Sequence, residues 1–201
     1  MTSRSAVALV ALALLAAGCG GSTQADSEPS GQFRVEVSGA TFPARQQISH
    51  PVTLRILVRN ADHRTVPNIA VTVETRPAIR GQAPIAFGQH AVDPRLADSA
   101  RPVWILDRGP AGGDTAYTNT WALGALAPGR SRLFTWHLVP ARAGAYVVTY
   151  RLSPGLTGKA QPAGGRVSGS LRAVIGNRPV AACVGGHGQV IKGPAAASGR
   201  C

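Results

Sequence analysis

Cys183, His187 and Gln189 stand close together near the C-terminus of the chain. A thiolate and an imidazole with a weak axial oxygen form a donor set suited to copper. His137 is the upstream residue that would have to complete such a site, and because Met1 is the sole methionine, Gln189 would have to supply the axial ligand. The pair lies in a Gly-rich stretch, however, and a disulfide between Cys183 and Cys201 accounts for the cysteine more simply. No metal or cofactor is therefore expected, with copper on Cys183 and His187 as the alternative. Asp107 and Asp114 offer two carboxylates where Ca²⁺ needs six or more oxygens, so they read as turn formers. Hydrolytic chemistry finds no footing, since the chain contains no G-x-S-x-G, S-x-x-K or H-E-x-x-H. His50, His63, His90 and His137 are isolated, and Asp93 and Asp98 fall in an irregular proline-containing segment. No coherent catalytic set emerges, and the chain is not expected to be an enzyme.

The remaining cysteine has a different chemistry. Arg4 supplies a positive start, Ala6 to Ala17 form an apolar run, and the small residues Ala17 and Gly18 precede Cys19. A helix over such a run spans about 18 Å, short of the roughly 30 Å hydrocarbon core, which suits cleavage better than retention. Residues Leu15 to Cys19 resemble the lipobox of bacterial lipoproteins, with Ala16 where that family more often has leucine. The resemblance implies residues 1–18 as a signal peptide and Cys19 as an acylated N-terminus, anchoring the chain to the extracytoplasmic face of the cell membrane. Residues 19–32 contain no large apolar side chain and read as a flexible tether. With Cys19 consumed by lipid, Cys183 and Cys201 are left as an even pair in an oxidising compartment.

Charge narrows the partners. The chain has 21 Lys and Arg against 9 Asp and Glu, a net charge of +12. From Thr115 to Cys201 there is no acidic residue at all, so the second half carries the excess. A field of one sign favours anionic partners such as an envelope polymer or lipid head groups, and a surface protein is a further expected partner. Nucleic acid is not expected, because no recognition motif accompanies the singly spaced arginines.

The elements that would position these residues are strands. With 24 Gly and 15 Pro the chain is rich in turn formers. Val52, Leu54, Ile56 and Val58 alternate with Thr53, Arg55 and Arg59, Leu57 being the exception, and Ile69 to Arg76 alternates in the same way. The turn-rich segment between them suggests an antiparallel pair with a wide connection. Further strands are expected at Phe33–Val37, Val103–Leu106, Tyr117–Leu123, around Phe134, Trp136 and Leu138, from Tyr146 to Leu152, and at Val167–Ile175. Trp121 and Trp136 read as core, and Trp104 as core or a partly exposed binding aromatic. The segment 77–101 is a long insertion that crosses between sheets or covers an edge, and Asp107–Thr115 is a Gly-rich loop. The fold class is all-β: an Ig-like antiparallel β-sandwich of about 7–8 strands over 33–175, followed by a disordered Gly/Ala-rich tail over 176–201.

Leu54 to Asn60, Val66-Pro67-Asn68 to Val73, Leu126-Ala127-Pro128-Gly129, Pro140 and Gly144-Ala145-Tyr146 together resemble the CARDB-like domains of bacterial surface proteins. There an Asn ends an early strand, an LAPG turn precedes a late one, and a P…GxY step begins the next. Because these motifs are turn chemistry, they bear on fold rather than activity. The resemblance implies a spacer or adhesion module, that is, a non-enzymatic envelope domain for adhesion, partner binding or structural spacing. An extracytoplasmic carrier of a small ligand or copper is the alternative.

Overall fold

Alternate residues of Val52–Asn60 are buried, from Val52 through Leu54, Ile56 and Val58 to Asn60, because a strand with one face on the core repeats every two residues. A computed structural model describes residues 28–76, 86–89, 102–115, 117–178 and 181–199. In chain order the strands are β1 (Gly31–Phe33), β2 (Val35–Thr41), β3 (Arg45–Gln47), β4 (Val52–Asn60), β5 (Ala70–Arg76), β6 (Gly88–Gln89) and β7 (Trp104–Arg108). They continue with β8 (Thr120–Ala122), β9 (Ser131–Pro140), β10 (Gly144–Ser153), β11 (Ala160–Pro162), β12 (Ser168–Gly176), β13 (Ala182–Val184) and β14 (Val190–Lys192). One short helix, α1 (Pro194–Ala197), follows.

Two five-stranded sheets enclose the core, one ordered β2-β4-β9-β7-β6 and the other β3-β12-β10-β5-β8. Most neighbours are antiparallel, whereas β3 and β6 each add a parallel edge. Leu54, Ile56, Phe134, Trp136 and Leu138 face inward from the first sheet, and Val71, Val73, Val148 and Leu152 from the second; all are buried. All three tryptophans belong to this core, Trp104 and Trp136 fully and Trp121 at 7% exposure. The exception Leu57 sits opposite Leu133 across β4 and β9, so these outward leucines shield one another as a cross-strand pair.

Strands β4 and β5 do not form the expected antiparallel pair: β4 lies in the first sheet and β5 in the second. Alternation reports that one face is buried, and two strands burying opposite sides of one core share that pattern without being neighbours. The connection between them carries Val66 and Ile69, both fully buried, into the end of the sandwich, where Val66 bridges Leu126. Of the expected insertion, 77–101, only 86–89 is described. Ala86 and Phe87 are buried, and β6 extends the edge of the first sheet beyond β7, so this segment passes from one sheet to the other.

Two boundaries differ from the expected ones. The described structure reaches back past Phe33 to Glu28, whose buried carboxylate accepts hydrogen bonds from the N–H groups of Leu156 (2.6 Å), Thr157 (3.3 Å) and Ala160 (3.2 Å). Strand β1 then pairs in parallel with β11. Beyond Gly176 the expected disordered tail instead contains the β13–β14 hairpin, with α1 packed against it. Its three-residue strands are too short to reveal alternation.

Candidate functional site

The motifs singled out in the sequence are first of all structural joints. Asn60 is fully buried at the end of β4; its side-chain amide donates to Leu126 O (2.7 Å) and Arg64 O (2.8 Å), and its Oδ1 accepts from Asp62 N–H (2.8 Å). Gly129 N–H donates to Asn60 O at 2.9 Å, so the strand-ending Asn ties down the Leu126–Gly129 turn from both side chain and backbone. That turn needs Gly129 at φ 69°, a left-handed conformation that costs a residue with a Cβ. Asn68 similarly accepts Gly124 N–H at 3.1 Å. At the Gly144 step, the Tyr146 hydroxyl donates to Ala143 O (3.0 Å), and a Cβ on Gly144 would meet that hydroxyl at 2.9 Å and the Tyr146 ring at 3.0 Å.

Asp62 serves the same joint. Its carboxylate accepts from Arg34 N–H (2.9 Å), Arg64 N–H (3.0 Å) and Arg64 Nε (3.3 Å). The Arg34 backbone N–H first, and then the Arg64 side chain and backbone, hold its pKa well below the usual carboxylate range. His63 lies 3.2 Å from this carboxylate with its side chain 87% exposed, so it is a surface neighbour of the joint.

The proposed copper ligands do not survive. Cys183 is in a disulfide and has no thiolate to offer a metal, while Gln189 Oε1 accepts the His187 backbone N–H at 3.1 Å inside the hairpin turn. His137 sits on β9 opposite Thr53. Among the described residues no three metal-ligating side chains cluster, Asp107 and Asp114 included. Cys19, Cys201, His90, Asp93 and Asp98 lie outside the described residues, so the acylation and the identity of the disulfide partner do too. The Gly-rich loop forms one wall of an open groove with Leu123, Arg132 and Leu133.

Two basic features are left. The outward face of the second sheet carries Arg172 and Arg76 on either side of Val147, with Arg151 four residues further along β10 and Arg45 beside Val174. Glu74 is its acidic residue among these strands, paired with Arg76 at 3.2 Å. The second feature is a groove of about 480 Å³ between β3 and the start of β4, lined by Pro43, Arg45, Gln47, His50, Thr53 and Arg55, among others. It exists because β2 pairs with β4 only as far as Thr41 and Arg55; the chain then leaves the first sheet to form β3 on the second, and Val52–Leu54 project past the end of β2.

Sequence reasoning noted the excess of arginine but not this groove. Its residues come from two sheets, and no spacing rule joins them.

No protein-family model matches the chain, and no curated protein matches it in sequence. Among solved structures it is similar to the CARDB domain of a Pyrococcus furiosus protein in complex with di-metal ions, at 12% identity over 74% of this chain and 99% of that one, with a TM-score of 0.44. It is also similar to Escherichia coli alpha-2-macroglobulin spanning domain MG7 to the C-terminus, at 12% identity over 75% of this chain and 18% of that one, TM-score 0.43. Red sea bream transglutaminase gives 11% identity over 72% and 15%, TM-score 0.38. Strand order and register define the class directly: an all-β, Ig-like sandwich of two mainly antiparallel sheets.

Proposed function

We propose that this chain is a membrane-anchored envelope lipoprotein, acylated at Cys19, whose non-enzymatic sandwich binds an anionic surface polymer at the extracytoplasmic face. The observation that carries this reading is the sign of the exposed surface: Arg45, Arg76, Arg151 and Arg172 share one sheet face with Glu74 as the acidic counterpart. The buried polar side chains support a scaffold role, because each is committed to holding the fold. Glu28, Asn60 and Asn68 bind backbone groups as described, Thr75 Oγ1 donates to Ala86 O (2.8 Å), and Gln46 accepts from Trp104 Nε1 (2.7 Å). If Cys19 is acylated, Cys201 is the cysteine left to pair with Cys183.

Co-sedimentation of the Cys19→Ser chain with isolated envelope tests the reading without the anchor. Binding is expected at low salt, with release as ionic strength approaches about 1 M, where the screening length falls to about 3 Å. A chain that stays in the supernatant at low salt would be a passive spacer held only by lipid.

A further inference from the structure

We infer that the groove between β3 and the start of β4 is an anion-recognition site that takes a phosphate group of a polyanionic envelope polymer, with Arg45 and Arg55 as its walls and His50 between them. This rests on the polymer-binding reading above and names its site.

Three independent observations meet in the groove. The first is charge: Arg45, His50 and Arg55 line it with no acidic residue, and none of the three has an ion-pair partner among the described residues. The contrast with Arg59, Arg64 and Arg76 is direct, since each of those sits within 3.5 Å of a carboxylate. Unpaired guanidinium groups lining a concave slot present donors for phosphate oxygens.

The second is backbone strain. Ser49, next to His50, has φ 64°, one of two non-glycine residues in the left-handed region among those described. Such a conformation costs about 1–2 kcal/mol and persists only where the surroundings enforce it. Here they do: Ile48 N–H donates to Gly176 O (3.3 Å), Ser49 N–H to Pro140 O (2.9 Å) and His50 N–H to Gln47 O (3.2 Å). The turn is thus fastened to both sheets, and the strain falls at the residue that presents His50 to the groove.

The third is rigidity of the wall. Gln46, between Arg45 and Gln47 on β3, is 5% exposed; its amide donates to Pro43 O (2.8 Å) and accepts from Trp104 Nε1 (2.7 Å). Phe42 packs on the same indole at 5.4 Å between ring centroids. The edge strand bearing Arg45 is therefore fixed on a fully buried aromatic of the core, so its backbone loses little freedom on binding.

A polymer fits better than a lipid head group. None of the exposed large apolar residues Leu57, Tyr117, Leu133, Val174, Val184 and Val190 lines the groove, so it offers a bilayer no large apolar anchor. Arg172 lies on the same sheet face, two residues along β12 from the Val174 that neighbours Arg45, giving the next charge of a repeating chain a second contact.

The test uses the full-length chain carrying Cys19→Ser, which removes the anchor and the need for detergent, titrated with an oligomer of poly(glycerol phosphate), with inorganic phosphate, and with phosphatidylglycerol vesicles. The double variant Arg45→Gln/Arg55→Gln is compared with Arg132→Gln/Arg142→Gln, which removes the same charge from exposed positions outside the groove. The groove variant is expected to bind the oligomer at least about tenfold more weakly, a loss of roughly 1.4 kcal/mol, against about twofold or less for the control. Equal weakening in both variants would overturn the site in favour of diffuse charge attraction, and an unaltered groove variant would overturn it outright. Vesicles binding as tightly as the oligomer, through the same two arginines, would overturn the polymer assignment. Envelope co-sedimentation separates the two levels. If both variants, made in the Cys19→Ser background, sediment like the Cys19→Ser chain, the groove assignment fails while the envelope-binding reading stands; if even the Cys19→Ser chain does not sediment, the reading itself fails.

Discussion

Replacing Asn60 by alanine removes the amide that joins the end of β4 to the Leu126–Gly129 turn. Three hydrogen bonds disappear, to Leu126 O, to Arg64 O and from Asp62 N–H. Leu126 O keeps the 3.0 Å bond from Val66 N–H, so the groups left short are Arg64 O and Asp62 N–H. At about 1 kcal/mol net for each bond, more where a buried group is stranded, the loss sums to about 3–4 kcal/mol. That is a large share of the roughly 5–15 kcal/mol by which a domain is stable. For a domain of this size the melting temperature should fall by about 6–16 °C, at about 2–4 °C per kcal/mol. Equilibrium urea unfolding is the assay, read as a lower midpoint at unchanged slope. A loss below about 1 kcal/mol would show that water or the backbone replaces the amide, and would refute the claim that this residue holds the two segments together.

The two fully buried tryptophans should respond differently to one substitution. Trp104 Nε1 donates to Gln46, whereas Trp136 Nε1 has no hydrogen-bond partner among the described residues. Trp104→Phe should therefore cost about 1–3 kcal/mol more than Trp136→Phe in the same unfolding assay, and equal costs would mean that volume alone matters. Glu28→Ala should free the segment ahead of β2: amide hydrogen exchange at Leu156, Thr157 and Ala160 rises while β4 and β9 stay protected, and unchanged exchange would show that the carboxylate latches nothing. Because the folded state holds the Asp62 pKa well below the unfolded value, this carboxylate's contribution is full above about pH 4 and is lost as pH falls from there down through the depressed folded-state pKa. Asp62→Asn should thus melt lower than the unaltered chain at pH 7, with the gap beginning to narrow below about pH 4 and narrowing further towards about pH 2; a gap as wide at about pH 2 as at pH 7 would contradict this origin.

What the sequence made legible follows from what periodicity can report. The long strands β4, β9 and β10 announce themselves because each has nine or ten residues and buries at least three alternate positions. Strands β3 and β11 have three residues each and give no such signal. Partnership was hidden for the same reason, as in β4 and β5, whose matching patterns belong to opposite sheets. The Asn60, Leu126–Gly129 and Gly144–Tyr146 motifs were visible as turn chemistry, while the bond from Asn60 to Leu126 is a contact across 66 positions that only folding brings together. Trp104 was open between core and surface because its short segment shows no alternation; its burial follows from Gln46, on the other sheet, meeting the indole N–H. The disulfide at Cys183 likewise decided against copper where donor types alone left that alternative standing.

Mass spectrometry of the mature N-terminus, on chain purified from bacterial membranes, tests the anchored-module account most directly. The account predicts an N-terminal peptide beginning at Cys19 that carries the mass of a diacylglycerol thioether, with Cys19→Ala abolishing the modification and releasing the chain from the membrane fraction. An unacylated N-terminus at another residue, on protein that still partitions with membranes, would contradict it and return Cys19 to the pool of cysteines able to pair with Cys183.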